Sequence, residues 1–216
     1  MRILETLVTA GVALALATWL IQRERAPTLE IQPEPKTDKH DMRKFVHVIV
    51  RSVPMKESHT LIGSLLSRLR IEKDTAYGCR SYVTVRKPTG ETVHENVHTK
   101  WVTHPEPLMQ LIDPSSGRPS YFVWPTASSE QIERIDIDPG DEQLLDIAVK
   151  HSENNGECYL NNFANYVGQF LRNPNNKVDE GEYSLEIQVR GRNAESGITR
   201  LKLSNVGRNL VNFFVS

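Results

Sequence analysis

Cysteine is scarce in this chain, because only Cys79 and Cys158 occur among 216 residues. Two cysteines are too few for a disulfide-dense secreted scaffold. They can form one bridge or remain small buried hydrophobic residues. We favour buried thiols, since free cysteine is among the residue types most often found inside proteins. Asn-x-Ser/Thr sequons are also lacking, as is typical of a domain that does not meet a glycosylation machinery.

An excess of either charge is lacking as well. The 26 basic residues are balanced by 27 acidic ones, which leaves a net charge of −1. Binding to phosphate backbones needs a basic stripe, so we expect no nucleic-acid partner. The balance leaves open a small basic patch or a protein partner, whose identity the sequence does not give.

Sequence motifs of catalysis are missing. The chain contains no Gly-x-Ser-x-Gly, no His-Glu-x-x-His and no Gly-rich phosphate loop. We therefore favour a non-enzyme, with no catalytic residue and no cofactor. An active site assembled from distant residues stays open, because such sites are recognised by geometry rather than by sequence position.

The sequence contains two clusters of potential metal ligands, and we expect no metal at either. The first lies in one turn, and the spacing of its carboxylates does not match a calcium loop. The second would place its first two histidines about 13 Å apart on a strand, and its spacing is not that of a zinc site. These residues are Asp136, Asp138 and Asp141 in the first cluster, and His94, His98 and His104 in the second.

The N-terminus carries one long apolar run, from Ile3 to Ile21, with Glu5 as its single charge. As a helix it would measure roughly 28 Å, about the thickness of one hydrocarbon core. We predict a transmembrane helix over residues 3–21, with Trp19 near one membrane interface. A cleaved signal peptide, with Ala15-Leu16-Ala17 as its cleavage site, and a buried core helix are the alternatives.

Basic residues are more numerous after this run than before it. Arg23, Arg25, Lys36 and Lys39 follow the run, whereas Arg2 precedes it. The positive-inside rule then places the rest of a single-pass protein in the cytoplasm. Reduced cysteines fit that location.

Residues 22–43 are rich in proline and charge. Proline blocks both helices and strand ladders, so we predict an extended linker here.

Residues 44–216 are predicted to form one β-sandwich domain. Short, β-branched or alternating segments separated by turns are typical of an antiparallel sandwich. Ser58–Glu72 instead places leucines at helical spacing, which predicts one short amphipathic helix that caps the core, with a partner-binding or membrane-surface helix as the alternative. The predicted strands are 45–50, 80–86, 91–101, 121–124, 131–137, 144–149, 182–189, 198–203 and 209–215.

The segment from Asp179 to Leu185 is similar to the tyrosine corner of immunoglobulin-like sandwiches. In that corner a tyrosine hydroxyl bonds to upstream backbone, and here Gly181 and Tyr183 occupy the required positions. Leu185 stands where antibody domains carry their second cysteine, so Cys79 and Cys158 cannot form that bridge. Trp101, twenty-two residues after Cys79, loosely matches the core tryptophan of that fold. The predicted fold class is therefore a mainly β, immunoglobulin-like sandwich preceded by a transmembrane helix.

Three short motifs extend the comparison over most of the chain. They are Cys79-Arg80-Ser81-Tyr82, the Pro139–Asp146 segment and Gly181–Tyr183. With the N-terminal run, they resemble a set of uncharacterised prokaryotic membrane-anchored proteins. The resemblance implies an anchored β-sandwich and carries no activity or site residue.

The remaining candidate surface is an Asn-rich loop at 154–176, with aromatic residues along it. Loops on a rigid scaffold often carry function, but such residues can also fasten the loop to its own domain. We expect a non-enzymatic, membrane-anchored module for protein–protein interaction. Alternatives are carbohydrate or small-ligand binding through this loop, and an enzyme with an unrecognised site. The candidate interaction residues are Tyr159, Asn161, Asn162, Phe163 and Tyr166.

Overall fold

The structure is a computed structural model. It describes residues 2–34, 39–40, 43–104, 108–112, 115, 117, 119–123, 133–152, 156–166, 172–207, 210 and 213–216.

The chain begins with a long helix, α1 (Arg2–Arg25). The helix predicted at the N-terminus is therefore present, and it continues four residues beyond Ile21. The transmembrane span predicted over residues 3–21 is not supported. Among the residues described, no helix is both long enough and apolar enough to cross a membrane. Along α1, every residue from 10 to 19 is exposed, so this part of the helix stands clear of the rest of the protein.

Short strands make up most of the remainder, with one further α-helix and three 3₁₀ turns among the described residues. The helix is α2 (Leu61–Arg68), and the turns are Met55–Glu57, Phe163–Tyr166 and Pro174–Asn176. The strands are β1 (Leu29–Pro33), β2 (Lys39–His40), β3 (Arg43–Ser52), β4 (Ala76–Arg86), β5 (Thr92–Val97), β6 (Leu108–Ile112), β7 (Pro119–Val123), β8 (Ile135–Ile137), β9 (Glu142–His151), β10 (Cys158–Leu160), β11 (Lys177–Val178), β12 (Gly181–Arg190), β13 (Thr199–Asn205) and β14 (Phe213–Val215).

The strands form two antiparallel six-stranded sheets and a separate hairpin within the described ranges. The first sheet runs in the order β1-β3-β9-β10-β11, with β2 beside β3. The second runs β14-β13-β12-β4-β5, with β8 beside β4. The hairpin joins β6 to β7. The mainly β, antiparallel fold class predicted from the sequence is thus confirmed, and it is consistent with a sandwich.

Alternating side chains of the two sheets build one apolar core. In β12, Tyr183, Leu185, Ile187 and Val189 are buried, while the residues between them are not. This period of two is what a strand with one buried face requires. Trp101, fully buried, belongs to the same core, and its indole nitrogen donates to the Glu133 carbonyl at 2.9 Å. The expected core tryptophan is therefore present.

The predicted linker is wrong for most of its described residues. β1 lies inside the 22–43 range and pairs with β3, so that Leu29 is opposite Ser52. Leu29 and Ile31 are buried in the core. The prediction took proline as a sign that no strand is present. Pro33 is compatible with β1 because it is the last residue of an edge strand, where a missing N–H costs no ladder bond. The β domain begins at Leu29 rather than at residue 44.

Two other predicted segments differ from the structure. The strand expected at 131–137 is three residues long, from Ile135 to Ile137, and its first residues lie outside those described. The long loop expected at 154–176 contains β10 and ends at β11, and both strands extend the first sheet. Strands of two or three residues are too short to leave a periodic signal in the sequence.

The tyrosine-corner hydrogen bond is confirmed. The Tyr183 hydroxyl donates to the backbone oxygen of Asp179 at 3.0 Å. Gly181 lies against the same ring, because a Cβ built on it would be 3.5 Å from Cε2 of Tyr183. The bond ties the entry of β12 to the preceding turn.

Replacing Tyr183 by phenylalanine is expected to lower the free energy of unfolding by about 1 kcal/mol, the usual net worth of one hydrogen bond. Urea titration of the full chain in detergent measures the change. Tyr77→Phe is the matched control, since Tyr77 is half exposed and its loss of a hydroxyl should leave stability unchanged. Equal effects of the two substitutions would contradict a role for the corner.

Candidate functional site

The five candidate interaction residues do not form one exposed surface. Tyr159 is 5% exposed on β10, with its hydroxyl donating to Glu157 at 3.0 Å. Asn161 is fully buried. Asn162 and Phe163 are partly exposed. Tyr166 ends the 3₁₀ turn, and its side chain lies outside those described. Asn162 and Phe163 are thus the only members whose described side chains reach the surface.

The asparagines of this loop bond mainly to one another and to nearby backbone. Asn176 donates to the side-chain oxygens of Asn162 and Asn165, at 2.7 and 2.6 Å. Asn165 in turn donates to the Leu160 carbonyl, and Asn173 to the Ala164 carbonyl. Buried amides need such partners. The network fastens the loop to the first sheet through the Leu160 carbonyl of β10.

A buried group of polar side chains lies on the first sheet. His47 Nδ1 is 2.5 Å from Asp146 Oδ1, and Asn161 donates to Asp146 Oδ2 at 3.1 Å. A register shift after Val46 places His47 opposite Asp146. All three side chains are at least nine-tenths buried. Sequence reasoning missed this group, because no local pattern relates positions 47, 146 and 161.

This buried group can hold the two sheet strands and the loop in register, since each member has a bonding partner inside the group. A buried ion pair that loses one partner leaves an uncompensated polar group, which is strongly destabilising. The arrangement therefore supports a structural role for His47 and Asp146.

The two cysteines are buried free thiols, as the sequence analysis favoured. Cys79 packs in the core beside Ala76, and Cys158 lies on β10. Burial raises the pKa of both thiols to about 12, with the nearby Asp136 carboxylate contributing at Cys79. A thiol is nucleophilic only as thiolate, so neither residue is suited to catalysis at neutral pH.

The two potential metal clusters have other partners in the structure. Asp136 accepts from the Gly78 amide and Asp138 from the Thr75 hydroxyl, both at 2.6 Å. His94 contacts the Lys177 carbonyl, and His98 contacts the Ser81 carbonyl. Within the described part of the chain, no group of three His, Cys, Asp or Glu side chains is placed to hold a metal ion.

One end of the molecule brings α1 and α2 together. The Arg25 carbonyl at the end of α1 accepts from the Asp74 amide at 2.8 Å, and its guanidinium pairs with the Asp74 carboxylate at 2.5 Å. One residue earlier, Glu24 accepts from the Ser58 hydroxyl at 3.2 Å. The C-terminal turn of α1 is thus fixed to the segments that flank α2.

Local sequence explains why α2 begins at Leu61. The Thr60 hydroxyl accepts from the Gly63 amide at 2.9 Å, which is the usual side-chain cap of a helix N-terminus. Gly63 is required by a close approach, because a Cβ there would lie 2.1 Å from Oγ of Ser58. Gly63 and Leu66 face the protein and are buried. The helix predicted over Ser58–Glu72 is confirmed in a shorter form.

The opposite side of α2 exposes three leucines at a spacing of four residues. Leu61, Leu65 and Leu69 are 92%, 57% and 62% exposed. A cleft of roughly 470 Å³ lies between the last turn of α1, β1 and the segment that precedes α2. Basic and acidic side chains both line this cleft, among them Arg23 and Lys73 opposite Glu24, Glu30 and Glu57.

The fold and these contacts define a two-sheet antiparallel β domain with a protruding N-terminal helix. No family model, curated protein or solved structure matches the chain.

The cysteine environment gives a testable pH dependence. Because the folded pKa is raised from 9.0 to about 12, the thiols' contribution to stability is fully present below pH 9.0 and is lost as pH rises towards 12. We expect the free energy of unfolding to fall over that range, and to fall less in the Cys79→Ala, Cys158→Ala variant. At neutral pH a maleimide should label neither thiol until denaturant is added. Rapid labelling of the folded chain would contradict the burial of these thiols.

Proposed function

We propose that this chain is a membrane-tethered, non-enzymatic β-sandwich module for protein–protein interaction, held at the bilayer by α1. The observation that carries the proposal is the exposure of apolar side chains all around α1 in the part that stands clear of the β domain. The sequence contains no catalytic motif that would assign an activity to the β domain.

The exposed apolar side chains of α1 are not confined to one face. Val12, Leu14 and Leu16 are each more than half exposed, and residues two apart lie about 200° apart around a helix. Trp19 and Ile21 extend the same surface. A helix that is apolar all around is typical of a core or a membrane rather than of water.

The apolar run ends where contact with the β domain begins. Leu20 and Glu24 are the first residues of the described part of α1 that are partly buried, and Ile21 is the last residue of the apolar run. Arg23 lies over the Trp19 ring, 5.5 Å from its centroid. A tryptophan with a neighbouring arginine is common at a bilayer interface. The helix would therefore lie in lipid before Leu20 and contact the β domain from Leu20 onward.

The non-enzymatic part of the proposal is supported by the state of the possible nucleophiles and bases. Both thiols are buried with raised pKa values, His47 is held against Asp146 inside the protein, and the Tyr159 hydroxyl is bonded to Glu157. Catalytic groups need access to substrate and a reactive protonation state.

We extend the proposal to the finer identity of the fold, an immunoglobulin-like sandwich of the uncharacterised prokaryotic membrane-anchored kind. The tyrosine-corner bond of Tyr183 and the buried Trp101 support it. The free thiols depart from the antibody pattern, in which two core cysteines are bridged. A cytoplasmic location of the β domain agrees with those free thiols and with the basic residues after α1.

Carbohydrate or small-ligand binding through the 154–176 loop has less support. Tyr159 and Asn161 are buried, and Asn176 donates to Asn162 and Asn165. Few donors and acceptors of the described loop are left for a ligand.

Arginine at Leu14 and Leu16 should release the protein from membranes. Each arginine near the centre of a span costs about 3 kcal/mol. We expect the unmodified chain to stay in the membrane fraction after alkaline carbonate washing, and the double variant to be released. Ile198→Arg is the matched control, since Ile198 is an equally exposed apolar residue on the β domain, and it should remain membrane-bound. Release of the unmodified chain, or retention of the double variant, would contradict the tether.

A further inference from the structure

In the described part of the chain, three leucines of α2 and of its C-terminal cap stay exposed. Leu61, Leu65 and Leu69 follow one another at i, i+4 and i+8, so they line one side of the helix. Leu61 is 92% exposed, and a contiguous stripe of this kind marks a contact site in water-soluble domains. The leucine stripe is defined here as these three residues.

We infer that the leucine stripe lies in the interface of the same bilayer that holds α1, so that α2 is a second, surface-lying membrane contact. The inference rests on the proposed membrane tether and deepens it. It gives α2 the lipid headgroup and upper acyl region as its partner, rather than another protein.

The position of α2 along α1 supports lipid as the occupant. Ser58, three residues before α2, bonds to Glu24, and Glu24 is three residues beyond the end of the apolar run. At 1.5 Å per residue that is about 4.5 Å along the helix axis. Interfacial helices lie with their apolar side about 5–10 Å deep in the headgroup and acyl boundary. The segment that leads into α2 is therefore bonded to α1 close to the required level.

The junction leaves little freedom for α2 to move away from that level. The Asp74 amide and carboxylate both bond to Arg25, and Lys73 donates to Thr28 at 2.7 Å. These contacts follow α2 in sequence, whereas the Ser58 contact precedes it. Because both flanking segments are bonded to the end of α1, α2 is held beside the point where α1 would leave the bilayer.

The charged residues of α2 and of the three positions after it are of one sign. Residues 61–71 contain Arg68 and Arg70 and no acidic residue, and both arginines are exposed. Basic residues beside an apolar face are typical of helices that lie on anionic lipid. A protein partner would need a matching acidic groove, whereas the headgroups of an anionic leaflet supply that charge on any membrane.

A fluorescence experiment on the full chain tests the inference. The environment-sensitive dye NBD is attached at Leu65→Cys or, as the matched control, at Ile198→Cys, since the two positions are 57% and 59% exposed. The native thiols are buried and stay unlabelled. The chain is reconstituted in vesicles of phosphatidylcholine and phosphatidylglycerol, with and without a nitroxide lipid labelled near the headgroup.

The dye at position 65 should shift its emission to the blue and be quenched by the nitroxide lipid about twofold or more beyond the position-198 dye, because the stripe lies at the headgroup and acyl boundary. A Leu61→Cys label should behave in the same way. If the chain floats with the vesicles but both stripe labels stay water-exposed, the tether stands and the α2 inference is overturned. If the labels are shielded from water yet insensitive to the nitroxide lipid, a protein contact covers the stripe, which also overturns it. Failure of the chain to float overturns both proposals.

Discussion

The structure depends on the short connection between α1 and the first sheet. α1 ends at Arg25, and Leu29 is already buried in the core as the first residue of β1. Within the connection, the Thr28 carbonyl accepts from the Val53 amide at 2.9 Å. The connection between the helix and the first core residue is therefore only three residues long. The protruding apolar helix is thereby fixed relative to the β domain, and no flexible linker separates the two.

This constraint determines which surfaces meet. Because Glu24 and Arg25 bond to the segments on either side of α2, the apolar surface of α1 and the leucine stripe of α2 lie at the same end of the molecule. The polar side chains buried elsewhere, His47 with Asp146 and the asparagines of the 154–176 loop, are occupied in holding strands and loop together. The exposed apolar surfaces of α1 and α2, rather than the buried polar groups, are therefore the part of the molecule for which we infer a partner.

Much of the β domain was readable from the sequence, whereas its long-range pairings were not. A strand with strict alternation, such as β12, can be located from the sequence alone. The same holds for a turn with a strong sequence signal, such as Asp138-Pro139-Gly140. The Tyr183 corner was also predictable, because its bond spans only four residues. Pairing of His47 with Asp146 depends on a register shift between β3 and β9, which no local pattern encodes. β1 was missed because the 22–43 range around it is rich in prolines and charges, as a linker is, while only Leu29 and Ile31 indicate burial.

Hydrogen–deuterium exchange of the full chain in lipid vesicles tests the direct connection most plainly. Backbone amides of Glu30 and Gln32 face β3 in the antiparallel register, as the Glu34 amide does in bonding to the His47 carbonyl, so they should exchange far more slowly than amides of a solvated linker. Paired core strands open only through large-scale unfolding. Exchange of the Glu30 and Gln32 amides within seconds would contradict the account, since α1 would then move freely and α2 would have no fixed position beside it.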